Sequence, residues 1–171
     1  MTWTVFFSLL TFVLLMNLRK ISACNGYKTN LHYLENCDKQ SVISVDNNFK
    51  VQLTRECQII ANGCIQTAGF QKAYLRATIS KNGMVIHRIE TDLCDTMNKA
   101  SAEAKHYLKL FGLPDKCPVE SGRSCQDSST KADISKYKRY LALARGLIQI
   151  DARIDHENGK TCIKAEVEIT K

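Results

Sequence analysis

Apolar and polar positions alternate along the last stretch of the chain. Residues 148–169 read IQIDARIDHENGKTCIKAEVEI, with Asn158-Gly159 near the middle. Asn-Gly is typical of a two-residue type I′ turn, so the pattern predicts a hairpin with Ile154 opposite Ile163. Successive side chains of a strand point to opposite faces. One face of this hairpin is therefore expected to be aliphatic and the other polar.

Two further Asn-Gly pairs, Asn62-Gly63 and Asn82-Gly83, also lie between apolar runs. Short strands punctuated by such turns are typical of an all-β sandwich or barrel. The chain holds only two prolines and no low-complexity tract, which indicates one domain. Further strands are predicted at 41–45, 49–57, 70–80 and 84–91.

The hairpin around Asn82-Gly83 is expected to be irregular. Regular pairing places Ile79 opposite Ile86, but it also places Arg88 opposite Ala77 on the apolar face. A β-bulge resolves this conflict, and we prefer it to the alternative of a cationic side chain at a pocket rim.

The segment 95–111 breaks the strand pattern. Its apolar residues recur at spacings of three and four, which predicts an amphipathic helix that ends at Gly112. The helix either packs on a sheet edge or acts as a lid over a cavity. The apolar positions are Met97, Ala100, Ala104, Leu108 and Phe111.

Residues 131–146 are basic and contain two tyrosines. The pattern favours a solvated strand whose Lys stems cover apolar surface. A contact with anionic headgroups is the alternative. Nucleic-acid binding is not favoured, because the segment has few arginines and no clear aromatic platform.

The N-terminus carries a separate signal. An apolar run at 2–16 and small residues before Cys24 predict a secretory signal peptide over 1–23 and a single mature domain over 24–171. Arg19 and Lys20 follow the run rather than precede it, so a signal anchor is the competing interpretation. Without these two residues the net charge falls from +7 to +5, a mild excess.

All eight cysteines lie in the predicted mature part. An even number of cysteines behind a signal peptide indicates disulfides and an extracellular or endomembrane-lumen location, the lysosome included. A zinc site is not favoured, because no CxxC pair is present. The cysteines are Cys24, Cys37, Cys57, Cys64, Cys94, Cys117, Cys125 and Cys162.

The sequence gives little evidence of a catalytic site. The four histidines have no metal-ligand spacing, and neither a nucleophile elbow nor a P-loop occurs. His156, beside the final turn, is expected to be exposed. Asp151 and Glu166 are expected to face each other on the flat polar face, which offers no cleft for a carboxylate pair. We therefore expect no enzyme, cofactor or metal, with a small basic hydrolase as a remote alternative.

Several motifs in order resemble the ML (lipid-recognition) domain family. The pattern is closest to the ganglioside activator, with some features of the Niemann-Pick type C sterol carriers. The resemblance covers about residues 34–170. It rests on NCDKQSVISV (36–45), Cys57 and Cys64 before FQKAYLRATI (70–79), Cys94, FGLPDKCPVESG (111–122) and NGKTCIK (158–164).

The resemblance implies an immunoglobulin-like two-sheet sandwich, stapled by disulfides and splayed around a lipid, with no catalytic residue and no metal. It also implies the bridges Cys37–Cys162 and Cys94–Cys117. For the rest it suggests Cys57–Cys64, which leaves Cys24–Cys125. The family's second cysteine after GLP is absent, and Asp115 stands there.

Spacing argues against a Cys57–Cys64 bridge if Asn62-Gly63 makes a regular hairpin. The two cysteines would then lie about 13 Å apart at a rise of about 3.3 Å per residue, beyond the roughly 7 Å Cα limit for a disulfide. Either the segment 57–64 is a loop, or these cysteines pair elsewhere.

These observations favour a secreted, non-enzymatic protein that binds or transfers a lipid or another apolar ligand between its sheets. An anionic membrane surface is a possible transient partner, and nucleic acid is not expected. The alternative is a secreted receptor or immune interaction protein that uses the fold as a scaffold. The residues expected to line the ligand are Leu75, Ala77, Ile79, Ile86, Leu108, Phe111, Ile148, Ile150, Ala152, Ile154, Ile163, Ala165 and Val167, with Leu110 also near the entrance.

Overall fold

The larger of two sheets carries the alternating strands. The computed structural model describes residues 23–171, so the predicted signal peptide lies outside the described residues except for Ala23. The strands of this sheet are β1 (Lys28–Asn36), β5 (Ala73–Lys81), β6 (Met84–Asp92), β9 (Gly146–His156) and β10 (Gly159–Thr170). They pair antiparallel in the order β1-β10-β9-β5-β6.

The hairpin of β9 and β10 is present, but its register differs from the predicted one by two residues. Glu157-Asn158 form the turn, and Thr161 rather than Ile163 lies opposite Ile154. The Glu157 carboxylate accepts the backbone N–H groups of residues 71 and 72 at 2.5 and 2.9 Å, which holds this turn against the chain before β5. A shift of two residues leaves every side chain on its face, so the aliphatic face is retained.

The register shift also changes the polar face. Asp151 lies opposite Lys164, with its carboxylate 4.0 Å from the ammonium group, and not opposite Glu166 as predicted. Glu166 instead lies opposite Gln149, whose side-chain amide donates to it at 2.9 Å. Directly opposed like charges are thereby avoided.

The hairpin of β5 and β6 confirms the predicted irregularity. Asn82 and Gly83 form its turn with φ of 48° and 80°, the positive values that a type I′ turn requires. A bulge then places Ile79 opposite His87 rather than Ile86. Arg88 moves opposite Thr78 and so leaves the apolar face.

The smaller sheet is built around one long strand, β4 (Gln58–Thr67). Four short strands pair with it: β2 (Ile43–Val45), β3 (Lys50–Leu53), β7 (Gly122–Gln126) and β8 (Lys131–Asp133). The predicted turn at Asn62-Gly63 is wrong, because both residues lie inside β4. Gly63 instead allows Phe49 to approach the strand, since a Cβ at position 63 would lie 2.8 Å from the Phe49 Cα.

The predicted helix is broken into α1 (Leu93–Asn98) and α2 (Ala102–Leu110). Ser101 starts the second helix by accepting the backbone N–H of Ala104 at 3.2 Å, an N-cap that sequence periodicity did not include. The break resets the helical phase, so Ala104 is exposed and Leu110 is 1% exposed within the core. Leu110 therefore does not lie at an entrance, as had been expected.

The basic segment 131–146 is not a long strand. After β8 it forms a 3-10 helix, η2 (Ser135–Tyr140), and a single helical turn, α3 (Leu141–Ala144). The Asp133 carboxylate accepts the Ser135 N–H at 2.7 Å, a local bond that turns the chain out of the strand. η2 is tied to α2 through Glu103, which pairs with Lys136 at 2.5 Å.

Four disulfides connect distant elements. Cys37–Cys162 and Cys94–Cys117 are confirmed. The implied Cys57–Cys64 and Cys24–Cys125 bridges are wrong, because β4 is continuous and carries its two cysteines to different neighbours. Cys64 lies opposite Cys125 of β7 and bonds to it, and Cys57 bonds to Cys24 in the short 3-10 helix η1 (Ala23–Gly26).

Polar side chains join the two sheets along one edge. Asn36 at the end of β1 donates to the Ile43 carbonyl at 2.9 Å and accepts the Val45 N–H at 2.8 Å. Thr161 of β10 accepts the Ile43 N–H at 2.9 Å. These bonds hold β2 against the large sheet, and the predicted all-β two-sheet sandwich is confirmed. No helix within residues 23–171 combines the length and the apolar character needed to cross a membrane.

Candidate functional site

The strand registers bring ten of the predicted ligand-lining residues onto the inner face of the large sheet. Across β5 and β9, Ile79 lies opposite Ile150, and across β9 and β10, Ile150 lies opposite Ala165. The same alternation places the remaining members in neighbouring rows. The ten residues are Leu75, Ala77, Ile79, Ile148, Ile150, Ala152, Ile154, Ile163, Ala165 and Val167.

The other three predicted residues lie elsewhere. Ile86 occupies the bulge of β6 and is 57% exposed. Leu108 and Phe111 lie at the end of α2, where both pack against the main core.

Apolar residues on the inner face of the edge strands β1 and β6 were missed. On β1, Leu31 and Leu34 lie opposite Val167 and Ala165, and on β6, Ile89 lies opposite Ala77. Each lies on one side of a break in strand alternation, because β1 has an irregularity between Leu31 and Tyr33 and β6 carries the bulge. Alternation followed on both sides of a one-residue slip predicts these positions.

One end of the inner face is packed. We name Leu75, Ile154 and Ile163 the closed end. Ile154 is 7% exposed and belongs to the main core, and the other two pack against that core. The main core joins the small sheet to the helical segment through residues such as Phe49 and Met97. At this end the sheet is an ordinary protein interior.

The opposite end has different surroundings. We name Ile79, Ile148, Ile150, Ala165 and Val167 the open end. All five are half-buried, and within the part of the chain that the structure describes they pack against neither buried cluster. A second, smaller cluster of Cys24, Cys57, Ile134 and Leu141 forms a separate core below η2. The open end is thus a stretch of aliphatic surface on the inner side of a sandwich.

The turn and the segment before β9 border the open end. The Asn82 backbone N–H donates to the Leu147 carbonyl at 2.8 Å, and the Asn82 side chain accepts the Leu147 N–H at 2.9 Å. The Lys81 ammonium group donates to the Leu143 carbonyl. These bonds place the Asn82-Gly83 turn and α3 together at one end of the molecule.

A polar pair of one half-buried and one buried side chain lies beyond the closed end. His156, predicted to be exposed, is half-buried with its ring centroid 4.5 Å from that of Phe70. Its Nε2 lies 3.1 Å from the hydroxyl of Thr161, which is buried and also accepts the Ile43 N–H. Burial lowers the pKa of His156 below its ordinary value, and the nearby carboxylates of Glu157 and Asp155 only partly oppose this.

The outer face of the large sheet offers no comparable apolar surface. Its charged side chains pair with one another, as Arg76 does with Asp155 between β5 and β9, and Arg153 with Asp151 along β9. These pairs are exposed, and such pairs contribute little to stability. The outer face is a solvated sheet surface.

A groove of about 530 Å³ lies at the edge of the small sheet, between β7 and the connection after α2, and it reaches the core residues Ile43 and Ile65. Its charged rim is largely paired, because Lys109 bridges to Asp115 at 2.9 Å and Arg123 bridges to Asp46 at 2.6 Å. Lys109 also lowers the pKa of the Asp115 carboxyl. Asp115, where the resemblance to the ML family led us to expect a cysteine, therefore forms an ion pair with Lys109.

The fold and site define a class: an all-β sandwich with four disulfides and an aliphatic inner face that is only partly packed. No protein-family model matches the chain. It is 33% identical over 162 residues to sporozoite-associated mosquito saliva protein 1 of Anopheles gambiae, which covers 92% of this chain and 90% of that protein. The chain belongs to the family of that saliva protein. This relationship and the disulfides indicate an extracellular protein.

Proposed function

We propose that the protein is a secreted, non-catalytic lipid-binding protein that holds the apolar part of its ligand against the open end. One observation carries the proposal. The open end is aliphatic and faces inward, yet among the described residues no buried cluster packs on it. Covering aliphatic surface stabilises by about 25 cal/mol per Å², so an apolar ligand there would gain affinity from every part of its length.

The connections between the sheets are consistent with an internal ligand. One edge is joined by strand contacts, including the Leu53 N–H that donates to the Thr29 hydroxyl at 3.1 Å. At the other edge the connection is helical, because α1 packs on β5 and β6 and α2 packs on β8. A helical strap can adjust its position without breaking strand pairing. The resemblance to the ML family supports the same conclusion.

Mass spectrometry of the secreted protein tests the proposal. The protein is purified without detergent, measured intact under native conditions, and then extracted with organic solvent. We expect a bound lipid. Ile150→Trp fills the open end and should lower the lipid content severalfold without changing the midpoint of urea unfolding. Arg153→Trp, on the outer face of the same strand, is the matched control and should retain the lipid.

Two outcomes would contradict the proposal. A lipid-free protein whose experimental structure has a filled interior would show that the open end is ordinary core. Unchanged lipid content in Ile150→Trp would place the ligand elsewhere. Saturable binding of a lipid-free protein to another protein would favour the scaffold alternative.

A further inference from the structure

Four aliphatic side chains are exposed together near the open end. Met84 and Leu143 are 71% and 72% exposed, and Val85 and Ile86 beside Met84 are about half-exposed. The bonds from Lys81 and Asn82 to the segment 143–147 bring the two parts of the chain together. We name Met84, Val85, Ile86 and Leu143 the apolar tip. Single exposed apolar residues are ordinary, but a group of this kind marks an interaction surface.

The chain around the apolar tip is basic. No acidic residue occurs between Glu56 and Glu90 or between Asp133 and Asp151. Four cationic side chains on the segments that carry or adjoin the tip, 84–92 and 135–145, are exposed, and in residues 23–171 none of them forms an ion pair with a described residue. We name this set the basic collar: Arg88, Lys138, Arg139 and Arg145.

One aromatic ring lies beside the basic collar. The Arg139 guanidinium stacks 4.8 Å from the centroid of the Tyr140 ring and donates to its hydroxyl at 2.9 Å. Tyr140 is half-exposed. Tyrosine rings are enriched where one end of a side chain meets hydrocarbon and the other meets water.

We propose that the apolar tip and the basic collar dock the protein on an anionic lipid bilayer. Aliphatic side chains enter the boundary of the acyl chains, while the collar binds anionic headgroups. A sulfated glycan would match the collar but would leave the aliphatic tip in water, so the bilayer fits both parts of the surface. The inference goes beyond the proposed function, because docking does not require a ligand inside the sandwich.

Docking would also place the open end next to the bilayer, since the tip and the open end adjoin through Lys81 and Ile148, which lie opposite each other. A lipid could then pass between the membrane and the inner face over a short distance. Protein docking and lipid content are nevertheless separate measurements.

Vesicle flotation tests the proposal. The full secreted protein is mixed with vesicles of phosphatidylcholine alone, or with about one third phosphatidylserine, at low and at physiological salt. We expect binding to the anionic vesicles that weakens with salt. Met84→Ser with Leu143→Ser, or Arg139→Ser with Arg145→Ser, should each reduce it. The loss of binding for the two arginines should be about thirtyfold at low salt. Each cationic side chain near an anionic surface strengthens binding about five- to sixfold, and the two factors multiply.

Matched controls come from the other end of the molecule. Lys39→Ser with Lys72→Ser removes two exposed cations near the closed end, and Tyr74→Ser removes an exposed apolar ring on the outer face. Both should bind vesicles like the original protein. Unchanged circular dichroism and urea midpoints would show that the tip and collar variants fold.

Three results would overturn the inference: no binding to anionic vesicles, binding unaffected by the tip variant, or binding to heparin with no binding to vesicles. The lipid content of the tip variant distinguishes this inference from the proposed function. Lost vesicle binding with retained lipid supports docking, and absent vesicle binding overturns docking whatever the lipid content.

Discussion

The two ends of the inner sheet face have similar composition and different surroundings. At the closed end Ile154 belongs to the main core, whereas four residues earlier on the same strand Ile150 is half-buried and packs against no buried cluster of the described residues. Both are isoleucines on the same face of β9. The difference shows that the side chain alone does not decide whether a position belongs to the packed core, because that depends on what covers it.

Strong covalent ties reinforce the closed end. Cys37–Cys162 joins the end of β1 to β10 beside Ile163, across 125 residues of sequence, and Asn36 and Thr161 bond to β2 in the same place. The open end is bordered by a turn and by short helices, of which η1 carries the Cys24–Cys57 bridge to the start of β4. The bridge that closes the longest loop and the main core both belong to the closed end, so we expect stability to be concentrated there and adaptability at the other end.

The largest effect should follow from removing the Cys37–Cys162 bridge. Cys37→Ser with Cys162→Ser releases the longest loop and should cost about 5 kcal/mol by the chain-entropy treatment. Cys94→Ser with Cys117→Ser releases a loop of 23 residues and should cost about 3 kcal/mol. Urea unfolding of both variants provides the measurement. A larger loss for the shorter loop would contradict the view that the closed end dominates stability.

An intermediate effect should separate the two isoleucines. Ile154→Ala creates a cavity in a packed core and should lower the free energy of unfolding by about 2–4 kcal/mol. Ile150→Ala removes side-chain atoms from a half-buried surface and should cost about 1 kcal/mol. Both are measured by urea unfolding after delipidation, so that ligand binding does not contribute.

Outer-face variants on the same strand provide the control. Arg153→Ala and Gln149→Ala lie next to these rows but point outward, and both should fall within about 1 kcal/mol of the original protein. If Arg153→Ala cost as much as Ile154→Ala, the difference between the ends would reflect strand pairing rather than packing. Equal losses for the two isoleucines would also contradict the comparison.

Much of the inner face could be predicted because strand alternation has a period of two. The register of β9 and β10 was wrong by two residues, yet Ile150 and Val167 still point inward, since only an odd shift would reverse the faces. The Asn82-Gly83 turn and its bulge were also predictable. The Asn-Gly dipeptide predicted the turn, and the conflict between the apolar alternation and Arg88 predicted the bulge.

Features that depend on distant partners could not be predicted. Asn62-Gly63 carries the same dipeptide signal as Asn82-Gly83, but pairing with β3 and β7 keeps it inside β4, where Gly63 accommodates Phe49. The pairing of Cys64 with Cys125 follows from that continuous strand and not from the spacing of the cysteines. Whether a half of the inner face is packed depends on the other sheet and on the helices, which strand alternation does not describe.

The smallest effect should be a pH dependence that originates near the closed end. The pKa of His156 lies below its ordinary value of 6.5 because burial disfavours the imidazolium. Above pH 6.5 the residue is neutral in both the folded and the unfolded chain, so its full contribution is present. As the pH falls from 6.5 through the lowered pKa, the unfolded chain binds a proton that the folded chain does not, and stability decreases.

His156→Gln should abolish this slope just below pH 6.5, while His106→Gln, on the exposed side of α2, should retain it. Glu157 contributes separately. Its pKa is lowered by the backbone N–H groups of Gln71 and Lys72, so its stabilisation is lost only as the pH falls below its ordinary value of 4.5. Urea midpoints at closely spaced pH values resolve the two pH windows.

The His156 ring has a further reason to stay neutral. Because its Nδ1 is buried without a hydrogen-bond partner among the described residues, protonation adds a second N–H with no acceptor. A slope that persists unchanged in His156→Gln would show that groups other than His156 cause the pH dependence in this window.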